Sequence, residues 1–252
     1  FFANLVEDKH LISLYDFENR SRLFPDVDSR YKFSLLTMCG GENKTDFEFS
    51  FFNKDIEEFT KKENAFTLAK EDFLSINPNT RTCPIFRSVN DAKIVRVIYK
   101  KFPIMINEVK GENIFNTRFY SMFHMANDSH LFKSKDELER NGYSLDGNTY
   151  NNNDKKYLPL YEAKMIFLYN HRFGSYESIS GLSTNTQLPT PSLNLYNNPD
   201  YFITPRYWVN TKEVHARLEN YNKEYFIGFR NITNTTNERT SILSVIPFSA
   251  VG

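Results

Sequence analysis

The alternation of apolar and polar positions predicts strands at the start of the chain. Phe1 to Lys9 reads as the tail of a helix. His10 to Phe17 follows as an apolar, β-prone strand, and Glu18 to Arg30 is a loop marked by Pro25, Asp26 and Asp28. Tyr31 to Met38 predicts a second strand, ended by Cys39-Gly40-Gly41. Asp46 to Phe52 predicts a third, with Phe47, Phe49 and Phe51 on one face. A glycine-bearing turn between the last two predicts an antiparallel pair. Asn53 to Asn64 is polar, a short helix or loop. Thr67 to Ile76 predicts a short helix carrying Leu68, Phe73, Leu74 and Ile76, closed by Pro78.

Helical spacing is clearest after Ser88, an N-cap with Asp91 three residues on. Ala92, Val95, Ile98, Tyr99 and Phe102 recur at steps of three and four and predict a buried face. Lys93, Arg96 and Lys100 fall on another, solvated face. Lys100 and Lys101 complement the helix C-terminus, and Pro103 stops it. Farther on, Arg118 to Met125 predicts a strand. Ser134 and Glu137 form a capping box for a helix that ends at Gly142. Asp146 to Lys156 reads as a polar loop, Tyr157 to Tyr169 as an apolar stretch, and Ser178 to Asp200 as an exposed, mobile loop. Pro205 to Val209 is a short aromatic anchor, and Thr211 starts a helix through about Asn220. Glu224 to Ile232 and Arg239 to Pro247 predict strands either side of a turn, Thr233 to Glu238. Strands and helices mix without steady βαβ alternation, so the predicted class is α+β, mainly antiparallel, with several short amphipathic helices.

Charge changes this picture in one place. The 252 residues balance 31 basic against 31 acidic side chains. Residues 1–76 are net −5, residues 103–252 are neutral, and Asn77 to Phe102 is net +5. Such a local excess points to a phosphate-bearing partner. Asn79, Arg81 and Arg87, in the turn before the helix, are its foremost candidates, followed by Lys93, Arg96 and Lys100. Elsewhere Lys164, Arg172, Arg206, Arg230 and Arg239 sit among Asn, Thr, Ser and aromatic residues. Arginine and lysine contact phosphate, and arginine and asparagine read base edges. Each of these taken alone is a solvated charge or a structural ion pair.

Other chemistry is sparse. Cys39 and Cys83 form no Cys-x-x-Cys pair, and the five histidines lack metal-ligand spacing, so no metal site is expected. Two cysteines suit a reducing cytoplasm. No apolar run approaches the roughly 20 residues of a membrane span, and no signal peptide is visible. Asp128-Ser129-His130 reads as a turn rather than a triad, because sequence neighbours rarely reach triad geometry. No Gly-x-Gly-x-x-Gly or Walker loop is present. The triplets at Asn43, Asn127, Asn231 and Asn234 would matter as glycan acceptors in a secreted glycoprotein, and here reflect an asparagine-rich chain. The ends, Phe1 and Gly252, suggest a piece of a longer polypeptide.

A resemblance is carried by SLYDFENRSRLFPDVDSRYKFSLLTM, INPNTRTCPIFRSVNDAKIVRVIYKKFP, MANDSHLF, LPLYEAKMIFLYNHRF, PRYWV and GFRNITNTTNERTSILSVIP, in that order. The first resembles the final strands of the methyltransferase domain in type IIG-like adenine-N6 DNA methyltransferases of restriction-modification systems. The others resemble the downstream part of those proteins, including the target-recognition region. The resemblance implies terminal strands of a Rossmann-like methyltransferase domain over 1–52 and a DNA target-recognition region over 53–252. Implied partners are duplex DNA and the rest of the polypeptide, with no membrane. The implied cofactor, S-adenosylmethionine, belongs to the parent enzyme. This stretch has neither the Gly-rich loop nor Asn-Pro-Pro-Tyr. Asn77-Pro78-Asn79-Thr80 echoes the latter but lacks the aromatic that stacks on a flipped adenine, so no catalytic residue is assigned. The alternative is a docking domain joining methyltransferase and nuclease or partner subunits through the Phe47, Phe49, Phe51 face and the Tyr207-Trp208 anchor.

Overall fold

The computed structural model describes residues 1–252 except Asn43, Lys44, Lys62, Asp154, 180–186 and Thr235. The chain is α+β, with mixed, mostly antiparallel sheets and short helices. It forms two compact units, Phe1–Arg118 and Phe119–Gly252. The division expected after residue 52 is not a boundary between units. It falls inside a strand whose phenylalanines share one core with residues 66 to 92.

The first unit contains α1 (Phe2–Glu7), β1 (Leu11–Glu18), β2 (Lys32–Met38), β3 (Phe47–Asn53), α2 (Ile56–Phe59), β4 (Ala65–Leu68), α3 (Lys70–Ile76), α4 (Val89–Lys101), β5 (Ile106–Asn107) and β6 (Glu112–Asn113). Its main sheet runs β2-β1-β3-β4. The hairpin expected around Gly40-Gly41 does not form, because β1 lies between the two strands, antiparallel to β2 and parallel to β3. β1 is covered along most of its length and takes the central position; β2 is exposed except at Phe33 and takes the edge. Phe47, Phe49 and Phe51 point from β3 into a core with Phe66, Leu68 and Phe73. Fully burying each phenylalanine contributes roughly 1.5–3 kcal/mol, so this face is the unit's centre and not a docking surface.

Two helices depart from expectation. Thr67 and Leu68 pair with β3 as part of β4, so α3 starts only at Lys70, with Asp72 accepting the Ala69 N–H at 2.8 Å. In α4 the Ser88 cap forms as predicted, its Oγ accepting the Asp91 N–H at 3.2 Å. Ala92, Val95 and Tyr99 pack on the core. Ile98 and Phe102 do not: with Ile94 and Val97 they form an outward stripe, 58, 66, 46 and 60% exposed at residues 94, 97, 98 and 102. Arg96 instead occupies the inward side. At about 100° per residue, positions 92, 96 and 99 share a line that 98 and 102 leave.

The second unit contains β7 (Phe132–Lys133), α5 (Lys135–Arg140), β8 (Ser144–Asp146), β9 (Thr149–Asn152), β10 (Lys155–Tyr161), α6 (Leu193–Tyr196), β11 (Trp208–Asn210), α7 (Thr211–Arg217), β12 (Tyr225–Phe229), β13 (Leu243–Pro247) and β14 (Ala250–Val251). Five strands run β7-β11-β10-β9-β8, each antiparallel to its neighbour, and β14 joins the end of β10 in parallel. The predicted capping box of α5 forms, with the Ser134 N–H donating to Glu137 Oε2 at 2.9 Å. Trp208 is buried with Tyr150, the rings 5.1 Å apart, and its Nε1–H donates to the Asn148 carbonyl at 2.8 Å. It is core, so the aromatic anchor does not serve docking either.

Two expectations fail here, and a third lies partly out of reach. Arg118 to Met125 is not a strand; among its described backbone contacts, the Phe123 N–H meets the Val251 carbonyl at 3.1 Å and no ladder extends from it. The polar loop expected over 146–156 instead carries the end of β8, all of β9 and the start of β10, because Gly147-Asn148, with Gly147 at φ 61°, is a tight hairpin turn between the paired Asp146 and Thr149. The loop 178–200 lies partly outside the described residues, as do the triplets beginning at Asn43 and Asn234. Its described second half is mostly exposed, as expected, but carries the short α6, with Leu188 buried and Arg172 holding the Tyr196 and Asn198 carbonyls.

Candidate functional site

An aromatic ring turned out of the sheet is the most unusual local feature of the first unit. Tyr15 pairs with Ser50 and Phe17 with Asn53, so β3 carries one residue more than β1 across this interval. The bulge leaves Phe51 in the core and rotates Phe52 to the opposite, accessible side. Phe52 adopts φ 63°, a left-handed conformation that costs a bulky L-residue about 1–2 kcal/mol. Its ring lies 4.5 Å from the Arg87 guanidinium and 5.7 Å from Lys32 Nζ. Phe86, buried edge-on against Phe66 at 5.4 Å, fixes the segment that presents Arg87. Arg87 and Lys32 have no acidic partner among the described residues. Sequence reasoning found Arg87 but missed Phe52 and Lys32. The Phe51-Phe52 doublet, which breaks the alternation of β3, was the available signal.

The remaining candidates of the first unit divide into two groups. Asn79 works within the fold: its side chain donates to the Ile106 carbonyl and accepts the Glu108 N–H, both at 2.9 Å, fastening the turn to the β5–β6 hairpin. Arg81, itself at φ 50°, pairs with Glu7 at 2.6 Å. Arg96 is no solvated residue: it pairs with Asp72, donates to the Thr67 carbonyl at 2.8 Å, and has its Nε buried without a partner. These three hold α1, α3, α4 and the turn together. Lys93 and Lys100 are exposed and form no ion pair among the described residues.

In the second unit the predicted residues are mostly structural. Arg172 donates to the carbonyls of Asn198 at 3.0 Å, Tyr201 at 3.2 Å and Tyr196 at 2.9 Å. Arg230 grips the Ile166 carbonyl through Nε at 3.1 Å and Nη2 at 2.6 Å, and lies near the Phe167 and Phe173 rings; burial lowers its pKa. Lys164 pairs with Glu162 at 3.9 Å and lies 5.2 Å from the Tyr176 ring. Arg206 lies 5.0 Å from the Tyr207 ring, and Arg239 meets Glu238 at the surface at 4.0 Å. Arg172 and Arg230 are therefore committed to backbone carbonyls, and Lys164 and Arg239 to neighbouring carboxylates.

Asp128-Ser129-His130 does not have the geometry of a triad. Asp128 accepts the His124 N–H at 2.7 Å and pairs with Arg217 at 3.4 Å, and these partners, the amide first, hold its carboxyl below the usual range. Ser129 donates to the Ala126 carbonyl at 3.1 Å, so Asp128-Ser129-His130 is the expected turn. Burial pushes the Cys83 thiol up to about 12, which leaves it a poor nucleophile. Among the described residues no His, Cys, Asp or Glu group is arranged to hold a metal, and no helix is long and apolar enough to cross a membrane. Compared with protein-family models, curated proteins and solved structures, the chain matches none.

Proposed function

We propose that this chain is the DNA-recognition part of a restriction-modification adenine-N6 DNA methyltransferase, binding duplex DNA and positioning it for methylation by the parent polypeptide. The sequence resemblance supplies the class. The observation that carries the contact is Phe52, turned outward at a backbone cost beneath Arg87 and Lys32. Strain of this kind persists where the surrounding structure holds it for a use. Lys93 and Lys100 add exposed positive charge to the same unit. The chain carries neither a Gly-rich loop nor Asn-Pro-Pro-Tyr, so its residues do not fit S-adenosylmethionine, and methyl transfer belongs to the parent. The test is duplex binding by fluorescence anisotropy across a salt series. Each neutralised phosphate contributes about −0.9 to the slope of log K against log salt. Arg87→Ala with Lys93→Ala and Lys100→Ala is expected to weaken binding and to flatten the slope by about 0.9 for each phosphate left without its cation. A flat wild-type slope, or one the triple variant leaves intact, removes the proposal.

A second reading, docking to another part of the parent or to a partner subunit, is supported by the outward stripe Ile94, Val97, Ile98 and Phe102. The same titration separates the two. Val97→Asp leaves the duplex slope unchanged if the stripe docks protein, and changes it if the stripe lies against DNA.

A further inference from the structure

We infer that a groove in the second unit holds a single-stranded segment of nucleic acid, with lysines on its phosphates and a tyrosine pair against its bases. Two adjoining concavities, of about 520 Å³ and 300 Å³, share Lys133, Lys155 and Tyr157 as lining and are taken together as the groove. The larger volume lies within the range of about 300–1,000 Å³ typical of sites for small organic ligands. Sheet order builds it. Lys133 sits on β7 opposite Trp208, Tyr157 sits on β10 opposite Asn210, and Lys212 follows β11 between them.

The charge of the described lining residues is mainly positive. Among the described lining residues Lys133, Lys155 and Lys212 face a single carboxylate, Glu213, which Arg217 already holds at 3.0 Å. Lys155 and Lys212 are exposed and pair with no acid among the described residues. Lys133 pairs with Glu137 at 3.6 Å. The rings are fixed as well. Tyr143 and Tyr157 meet edge to face, 5.1 Å apart and at 84°, and both are half-buried. The Tyr143 N–H donates to the Leu138 carbonyl at 3.0 Å, just after Gly142 closes α5 at φ 77°. A bare phosphate needs no such rings, and a duplex keeps its base faces stacked inside. Unpaired bases present those faces, and stacking on aromatic side chains beside a basic track is how single strands are held. The inference rests on the proposed function for its choice of nucleic acid over other ring-bearing anions.

The experiment titrates the whole chain with a labelled single-stranded oligodeoxynucleotide, an abasic version, adenosine monophosphate and inorganic phosphate. Lys155→Glu with Lys212→Glu, and separately Tyr143→Ala, are each expected to weaken the intact strand roughly tenfold or more. Fluorescence of Trp208, the chain's only tryptophan, reports whether the unit stays folded; the exposed lysine pair keeps the test valid if Tyr143→Ala unfolds it. Unchanged strand affinity in folded variants overturns the inference, as does an abasic strand bound as tightly as the intact one. Adenosine monophosphate or phosphate binding as tightly as the strand overturns it too. If strand binding depends on the groove while duplex binding is absent, the inference stands and the proposed function falls. If duplex binding depends on Arg87 and the groove variants change nothing, only the inference falls.

Discussion

The basic segment from Asn77 to Phe102 and the groove of the second unit reach positive surfaces by opposite routes. In the first, six cations lie within 26 residues of sequence, and folding commits two of them to ion pairs. Glu7 takes Arg81, and Asp72 takes Arg96; both acids come from the net-negative stretch before the segment. In the second, lysines at 133, 155 and 212 lie in a region of balanced charge, and the strand order β7-β11-β10, with α7 following β11, brings them together. Charge density along a chain is thus a poor guide to charge density on its surface. An excess in sequence is often half of a set of ion pairs whose other half lies elsewhere.

The largest expected effect sharpens the contrast within α4. Arg96 and its partner Asp72 are only 28% and 12% exposed. Removing one partner of a buried pair costs about 3–5 kcal/mol, and partial exposure reduces this, so Arg96→Met should destabilise the first unit by about 2–3 kcal/mol. Lys100→Met, four residues on, should stay within about 0.5 kcal/mol. Urea unfolding decides, and equal effects of the two substitutions would erase the distinction between structural and available cations.

Phe52→Gly comes next. Glycine tolerates φ 63° without strain, so stability should hold or rise by up to about 1 kcal/mol in thermal unfolding, while duplex binding falls because the ring under Arg87 is gone. A drop in stability of core size would mean that the ring serves packing, and would move the proposed DNA contact away from the bulge.

The smallest effect concerns burial of charge in the second unit. Burial, then the neighbouring Arg172, lowers the His171 pKa from its ordinary value of 6.5. The unfolded chain therefore takes up this proton first as pH falls. The stability contributed by neutral His171 is complete above about pH 6.5 and is lost on descent below it. Chemical unfolding followed by Trp208 fluorescence at a pH on either side of 6.5 should show that decline, and His171→Asn should show less of it. Identical pH profiles would mean that His171 titrates freely.

Local chemistry was legible where neighbours in sequence are also the partners. The caps at Ser88 and Ser134, the phenylalanine face of β3 and the α+β class all depend on spacing within a few residues. Short-range signals can also be misread: Gly147-Asn148 is a hairpin turn, though its polar surroundings resemble a loop. The candidate site was only partly legible. Arg87 stood out by charge, but its ring partner Phe52 depends on a bulge set by the pairing of β3 with β1, strands that β2 separates in sequence.

By itself, the sequence determined which residues could form strands, where α4 and α5 begin, and that positive charge is concentrated between Asn77 and Phe102. Tertiary structure alone decided which cations remain available, which face of α4 turns outward, and that Lys133, Lys155 and Lys212 line one groove. The physical reason is that side-chain period and capping act over a few residues. Ion pairing, desolvation and strand order act between residues tens of positions apart, and no local pattern records them.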